Sequence, residues 1–267
     1  MNADRKLSDK LTARMIEKGE DMAYSEFTIE GRNAVIEALR AGKPIDKLYI
    51  LDGCQDGPVS TIKREARKAD VMVKFVDKER LDAMSETGHH QGVIAQCAAY
   101  EYAEVEDILN KAKEKNEDPF IIILDNIEDP HNLGAIIRSA NLAGAHGVII
   151  PKNRAVGLTA TVARTSAGAL NYTPVAKVTN IGRTIDELKK CGIWFACADM
   201  DGEIMYKQNL TGPIGIVIGN EGEGVSRLVR EKCDFICRIP MKGDIDSLNA
   251  SVAAGVLMYE VVRQRGV

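Results

Sequence analysis

Short apolar runs alternate with amphipathic stretches along most of this chain, and their periods predict its elements. From Thr28 onward, Asn33 to Leu39 reads as a helix with Ala34, Val35, Ala38 and Leu39 on one side. Runs at Lys47–Leu51, Val71–Val76 and Val93–Ala98 read as strands, with helices at Ser60–Lys68 and Lys78–Ser85 between them. This alternation predicts a small α/β unit. A second unit opens at Phe120-Ile121-Ile122-Ile123-Leu124, a continuous apolar run of the kind found in strands covered on both faces. Further strands are predicted at Val148–Ile150, Val175–Val178, Trp194–Ala198, Gly215–Ile218 and Phe235–Ile239. Helices are predicted at Leu133–Leu142, Thr159–Ala167, Ile185–Lys190, Ser226–Lys232 and Leu248–Arg263. That order describes a mostly parallel sheet with helices on both faces, where ligands sit beyond the carboxyl ends of the strands.

Two stretches break the pattern. Residues 1–27 are polar and charged without sustained periodicity, which predicts a frayed extension or one loose helix. Between Glu101 and Asp118 lie seven acids and three lysines, closed by Pro119. Part of it, Val105 to Lys115, can be helical, but the charge density reads as a linker crossed by few contacts. The division expected is therefore an extension (1–27), a small domain (28–100), a charged linker (101–118) and a larger domain (119–267).

Composition narrows the class. Over 267 residues, 45% are apolar and 28% charged, as in ordinary globular proteins. No apolar run reaches membrane-spanning length, and no signal-peptide core follows Met1, so the expected location is the cytoplasm. The six cysteines include no Cys-x2-Cys pair and the four histidines are not spaced as partners. Buried, reduced thiols are expected rather than zinc or disulfides. A net charge of −4 argues against coating nucleic acid by bulk attraction. A local cluster remains: Lys152, Arg154, Arg164, Lys177, Arg183, Lys189 and Lys190 face only Asp186 and Glu187 in that stretch. It reads either as a solvated surface or as a phosphate-contacting face.

Three polar, glycine-bearing runs each follow an apolar strand. The first spans Asp125 to Arg138: Pro130 turns the chain, Asn132 can cap the next helix, and Arg138 lies off its buried stripe. Gly134 in the first turn costs helix stability, which implies a close neighbour. The second is Gly219-Asn220-Glu221-Gly222-Glu223-Gly224. It matches neither nucleotide-binding glycine fingerprint, and its two glutamates would repel phosphate, so a cationic or neutral ligand group fits better. The third is Ile239-Pro240-Met241-Lys242-Gly243-Asp244-Ile245-Asp246-Ser247-Leu248-Asn249. Its polar cluster can cap a helix, while Ile239, Met241 and Leu248 can flank a flat ring whose edge is read by backbone groups.

Together these runs resemble, in order, the three motifs of the SpoU (TrmH-like) RNA ribose 2′-O-methyltransferases of the SPOUT superfamily. The resemblance rests on Asn126-x-x-Asp129-Pro130-x-Asn132-x-Gly134-Ala135-x-x-Arg138, on Gly219-Asn220-Glu221-Gly222-x-Gly224, and on Ile239-Pro240-Met241-x-Gly243 with Ser247-Leu248-Asn249-x-Ser251-Val252-Ala253. It covers 119–267, with Ser139 standing where many members carry threonine. The first unit is similar to that family's L30e-like substrate-binding domain. Gly31-Arg32-Asn33-Ala34-Val35 and His90-Gln91-Gly92-Val93 are typical of the branch that methylates guanosine ribose in 23S ribosomal RNA, the RlmB-type enzymes.

The resemblance implies a SPOUT-type α/β fold with a C-terminal trefoil knot that binds S-adenosylmethionine. It implies cofactor contacts at Gly219, Ile239 and Leu248, and a catalytic centre lined by Asn132, Arg138, Glu221, Ser247 and Asn249. It also implies no metal, a homodimer paired through the knot, and RNA as substrate. Arginine is effectively always protonated, so the role expected of Arg138 is to hold a phosphate or a developing oxyanion, with Glu221 holding Arg138 or the loop. Two other readings stay open: a transfer-RNA ribose methyltransferase, and a non-catalytic RNA-binding protein.

Overall fold

A computed structural model describes residues 28–244 and 247–266. The expectations for 1–27 and for Asp246 lie outside the described residues.

The first unit is a four-stranded sheet formed by β1 (Thr28–Glu30), β2 (Ile45–Leu51), β3 (Met72–Val76) and β4 (Val93–Cys97), in the order β1-β4-β2-β3. β4 runs antiparallel to both neighbours, and β2 pairs with β3 in parallel. Helices α1 (Arg32–Arg40) and α2 (Gly57–Lys68) bury Val35, Leu39, Val59 and Ile62 against Leu48, Ile50, Val93 and Ala95. The other face carries α3 (Lys78–Met84), whose Leu81 packs with Tyr49 and Ile94. Asp56 and Asp77 start α2 and α3 by accepting hydrogen bonds from Val59 N and Arg80 N, which satisfies backbone amides that have no partner within the helix.

α4 (Val105–Glu114) comes next, and it corrects one expectation. The stretch 101–118 is not a loosely attached linker. Ile108 and Ala112, four residues apart, are buried on one side of α4, and Ile108 occupies the space a side chain at Gly147 would need. Ala103 forms a parallel bridge with Ala176, and His146 joins the Glu117 carboxylate at 3.0 Å. The acids that dominate the composition lie mostly on the solvent side, so a count of charges concealed the buried stripe.

The second unit follows as β5 (Phe120–Leu124), α5 (Pro130–Leu142), β6 (Gly147–Pro151), α6 (Ala160–Thr165), β7 (Val175–Val178), α7 (Ile181–Lys190), β8 (Trp194–Ile204), β9 (Ile214–Ile218), α8 (Arg227–Arg230), β10 (Phe235–Arg238) and α9 (Ala250–Arg265). Its sheet has the order β10-β8-β9-β5-β6-β7, and every pairing is parallel. Central β5 explains its apolar run. Phe120, Ile122 and Leu124 pack under α5 and α9, while Ile121 and Ile123 pack on the opposite face with α4 and α7. Each such side chain contributes about 1.5–3 kcal/mol of transfer free energy. β8 runs past the predicted Ala198 to Ile204, and its pairing with β10 shifts register between Ile236 and Cys237. All six cysteines are free thiols, but only Cys197 and Cys237 are buried as expected: Cys54, Cys97 and Cys233 are half-buried and Cys191 is exposed. No helix among the described residues is long and apolar enough to cross a membrane.

The basic stretch does not form one face. Half-buried Lys177 pairs with buried Asp46, Lys152 with Asp70, Arg183 with Glu187, and Lys189 with Asp234. Only Arg154, Arg164 and Lys190 of the seven lack an ion-pair partner among the described residues.

Candidate active site

The three polar runs meet beyond the carboxyl ends of β5 and β9. The first leaves β5 at Asp125, a buried carboxylate that accepts from Ser226 N at 2.8 Å. Asn126 turns the chain in a left-handed conformation (φ 61), and its carbonyl accepts from Asn220 Nδ2 at 3.2 Å. α5 then begins one residue after Asp129, which accepts from His131 N. Pro130 is its first residue, where a missing N–H costs nothing. The cap is therefore Asp129 and not Asn132. Asn132 lies inside the first turn, only 6% exposed. Gly134 has the close neighbour its position implied: a methyl there would overlap Thr165, at the end of α6.

The glycine run after β9 is a closed hairpin. Asn220 and Gly224 exchange backbone hydrogen bonds at 3.2 and 2.8 Å, and Asn220 Oδ1 accepts from Gly222 N. Gly224 is left-handed (φ 68). Gly219 faces the returning strand of this hairpin, and a methyl on it would overlap the Gly224 carbonyl and Val225 N. Glycine is required at 219 by backbone packing.

This hairpin presents Glu221 to the other two runs. Its Oε1 accepts from Asn132 Nδ2 at 2.5 Å, from Asn249 Nδ2 at 2.9 Å and from Ala250 N at 3.3 Å. Asn249 Nδ2 also donates to Asn132 Oδ1 at 2.9 Å. The carboxylate thus sits at the N-terminus of α9, where the helix dipole favours negative charge. Asn249 is the N-cap of α9, its Oδ1 accepting from Ser251 N and Val252 N. Capping falls to Asn249 rather than to Ser247.

The expected site residues divide. Asn132, Glu221 and Asn249 form one hydrogen-bonded triad. Arg138 does not join it: it is exposed on α5 and makes no hydrogen bond or ion pair with the described residues, so Glu221 holds the two asparagines and not Arg138. Six residues on a helix amount to about 600° of rotation, which carries Arg138 to a different face from Asn132. Ser247 is exposed beside the triad in sequence, with no hydrogen bond to the described residues. Leu248 and Ile239 are half-buried, and Ile239 packs against the core beneath α5 and α9. Asp125, Asn126, Asn220 and Ser226 tie the first two loops together, and no role was expected for them. The Asn-x-Gly spacing at 220–222, an Asx-turn signal, was the available clue to one of them. No group of three or more His, Cys, Asp or Glu that could hold a metal occurs among the described residues.

A parallel sheet with an amide-bound carboxylate and a glycine hairpin at its carboxyl ends has the α/β arrangement in which ligands commonly sit, and a four-stranded unit precedes it in the chain. Comparison with known proteins makes this specific. Residues 119–259 match the SpoU rRNA methylase family, and residues 28–103 match the substrate-binding domain of RNA 2′-O ribose methyltransferases. YacO of Bacillus subtilis, named as a TrmH family tRNA/rRNA methyltransferase, is 51% identical over 246 residues, covering 91% of this chain and 98% of its own. A Staphylococcus aureus (strain MW2) protein of the same family name is 48% identical, covering 90% and 97%. Among solved structures, the SpoU methyltransferase AviRb of Streptomyces viridochromogenes, crystallised with S-adenosylmethionine, superposes with a TM-score of 0.57 at 26% identity, covering 97% and 98%. A structure described as an RNA 2′-O ribose methyltransferase gives 0.52 at 27%, covering 97% and 96%. The chain belongs to the SpoU methylase family.

Proposed function

We propose that this chain transfers the methyl group of S-adenosylmethionine to a ribose 2′-hydroxyl of RNA, with a guanosine of 23S ribosomal RNA as the target. The observation that carries the reading is the convergence of Asn132, Glu221 and Asn249, one residue from each of three remote runs, at the end of a parallel sheet. The site fits the cofactor. Glu221 and Glu223 in the β9 hairpin favour a cation such as a sulfonium, and half-buried Ile239 and Leu248 offer apolar flanks for a purine beside the backbone of Gly219. Asn249 and Ala250, where α9 starts, meet that hairpin at Glu221.

Bound cofactor supplies a methyl already activated on sulfur, so the C–O bond forms as the C–S bond breaks and the bonding pair stays on sulfur. The chain must align the acceptor and ease loss of its proton. Glu221 holds the amides of Asn132 and Asn249 and so fixes the start of α9. Ser247, with its hydroxyl uncommitted, orients the ribose. Arg138 binds a phosphate or the developing oxyanion, and the proton leaves to phosphate or water. Because Arg138 points to solvent away from the triad, the site is completed by a second copy paired through the knot region. Leu142, one turn beyond Arg138 on α5 (66% exposed), and Val252 and Tyr259 on α9 (49% and 52%) are exposed apolar side chains on two helices that pack together.

The relatives' name covers both transfer and ribosomal RNA, so transfer RNA is the second reading. Incubation with labelled S-adenosylmethionine and separate pools of the two RNAs, followed by mapping of the labelled nucleotide, decides between them. Cofactor binding with no transfer to either pool would refute the methyltransferase reading, whereas RNA binding with no affinity for S-adenosylmethionine would favour a non-catalytic RNA-binding protein.

A further inference from the structure

The two units meet across a polar seam centred on Asp46, the second residue of β2. Its carboxylate is 3% exposed. Oδ1 accepts from Lys177 Nζ on β7 at 2.6 Å and from Tyr102 OH at 2.5 Å. Lys177 also lies 4.7 Å above the Tyr102 ring, and the Tyr102 oxygen accepts from Leu158 N at 2.9 Å. One carboxylate of the small domain is thereby bonded to the edge strand of the large sheet and to the segment joining the two domains. Its second oxygen, Oδ2, is buried with no hydrogen-bond partner. Gly157, in the β6–α6 loop, closes over that side, and a methyl there would overlap the whole carboxylate. Around this centre Lys47 Nζ donates to Ala155 O at 3.0 Å, Ala99 N donates to Leu158 O at 2.7 Å, and Lys152 pairs with Asp70. A cleft of about 330 Å³ opens beside the seam, lined by Asp46, Asp70, Tyr102, Glu104, Lys152 and Lys177 from both sides.

A buried ion pair with one oxygen unsatisfied is a poor way to gain stability, since an apolar pair of the same volume often does as well or better. It is a good way to specify one arrangement, because any shift of the two units separates charges that have left water. We propose that the Asp46–Lys177–Tyr102 cluster is an interdomain latch: it sets the orientation of the small domain over the large sheet, and so the span between RNA held by the small domain and the ribose presented at the triad. Asp46 and Lys177 are positioning residues that touch neither cofactor nor ribose. The RNA part of the proposal rests on the function given above, whereas the latch itself does not.

The test uses the full chain and the variants Asp46→Asn, Lys177→Met and the double substitution. Small-angle scattering reads the domain arrangement, calorimetry reads S-adenosylmethionine affinity, and steady-state kinetics read methyl transfer to RNA. Asp46→Asn is expected to widen the scattering envelope and leave cofactor affinity within about twofold. It is also expected to lower kcat/KM for RNA by at least tenfold, since misplacement by about an ångström far from the chemistry can cost about a hundredfold. The double variant, which no longer buries a lone ammonium, is expected to recover part of the compact envelope and part of the activity. Scattering and kinetics unchanged in Asp46→Asn would overturn the latch, and so would lost cofactor binding, which would place Asp46 in the folding of the large domain. If the unaltered chain transfers no methyl group, the functional reading falls, and scattering alone decides the latch.

Discussion

Replacing Asn249 by alanine separates what this side chain does for α9 from what it does for the triad. All of its hydrogen-bonding capacity is used: Oδ1 accepts from Ser251 N, Ser251 Oγ and Val252 N, and Nδ2 donates to Asn132 Oδ1 and Glu221 Oε1. Losing an asparagine cap costs about 0.5–2 kcal/mol, and each of the two amide hydrogen bonds is worth about 0.5–1.5 kcal/mol net. Asn249 is exposed and its contacts share one side chain, so water and non-additivity hold the total to about 2–3 kcal/mol. Asn249→Ser keeps an oxygen at the cap and drops the amide, for about half that loss. Asn249→Asp keeps the cap but places a second carboxylate against Glu221, and is expected to be less stable than the serine variant. Urea unfolding followed by circular dichroism, at one protein concentration and without cofactor, reads these as ordered midpoints, with alanine shifted by about 1 M. Alanine and serine variants of equal stability would remove the cap from the explanation. An alanine variant as stable as the parent would remove both contributions.

Arg138→Lys is expected to change stability by less than about 0.5 kcal/mol, because the side chain is exposed and unpartnered among the described residues. Turnover should nevertheless fall about a hundredfold, as when one oxyanion donor is removed; near-normal turnover with normal RNA affinity would contradict the need for a guanidinium. Gly219→Ala forces a methyl into the Gly224–Val225 backbone and is expected to cost about 1–3 kcal/mol together with S-adenosylmethionine affinity; thermal melting with and without cofactor tests both, and a parental profile would show that the hairpin yields. The Glu30 carboxyl is raised by burial but lowered further by the Thr87 and Ser85 hydroxyls and the Glu86 and Thr87 amides, and ends at about 2 against an ordinary 4.5. A depressed folded value means its stabilisation is complete above pH 4.5 and is lost as pH falls toward 2. Glu30→Gln should therefore flatten the acid limb of stability against pH in that window, and an unchanged slope would refute the assignment.

The alternation of strands and helices was legible wherever one face or both faces of an element met a core. Phe120–Leu124 reads correctly because both faces are covered, and Val175–Val178 because a valine stands at each end of the four-residue β7. Three-residue β1 is too short to show a period. The helical span of α4 was legible, but its attachment was not, because burial of Ile108 and Ala112 is a matter of spacing, while seven acids in the surrounding stretch dominate its composition. The role of Lys177 was hidden for a related reason. Within its own short strand Lys177 is a lone charge between Ala176 and Val178, and its partner Asp46 is 131 residues away in the other unit.

Site residues were legible as types and not as a geometry. Asn132, Glu221 and Asn249 each lie in a polar, glycine-bearing run that follows an apolar strand. Nothing local says that the glutamate would take the amides of residues 89 and 28 positions away and leave Arg138 alone. The physical reason lies in the sheet. β9 and β5 are hydrogen-bonded neighbours, so the hairpin after β9 is delivered onto the first turn of α5. Arg138, farther along that helix and rotated away, is out of reach. A carboxylate bound to three N–H donors is satisfied without a guanidinium, and a guanidinium left in solvent costs the isolated chain nothing. In the proposed mechanism Arg138 is then free to meet an anion that arrives with the substrate, and its availability, rather than proximity to Glu221, is what that role requires.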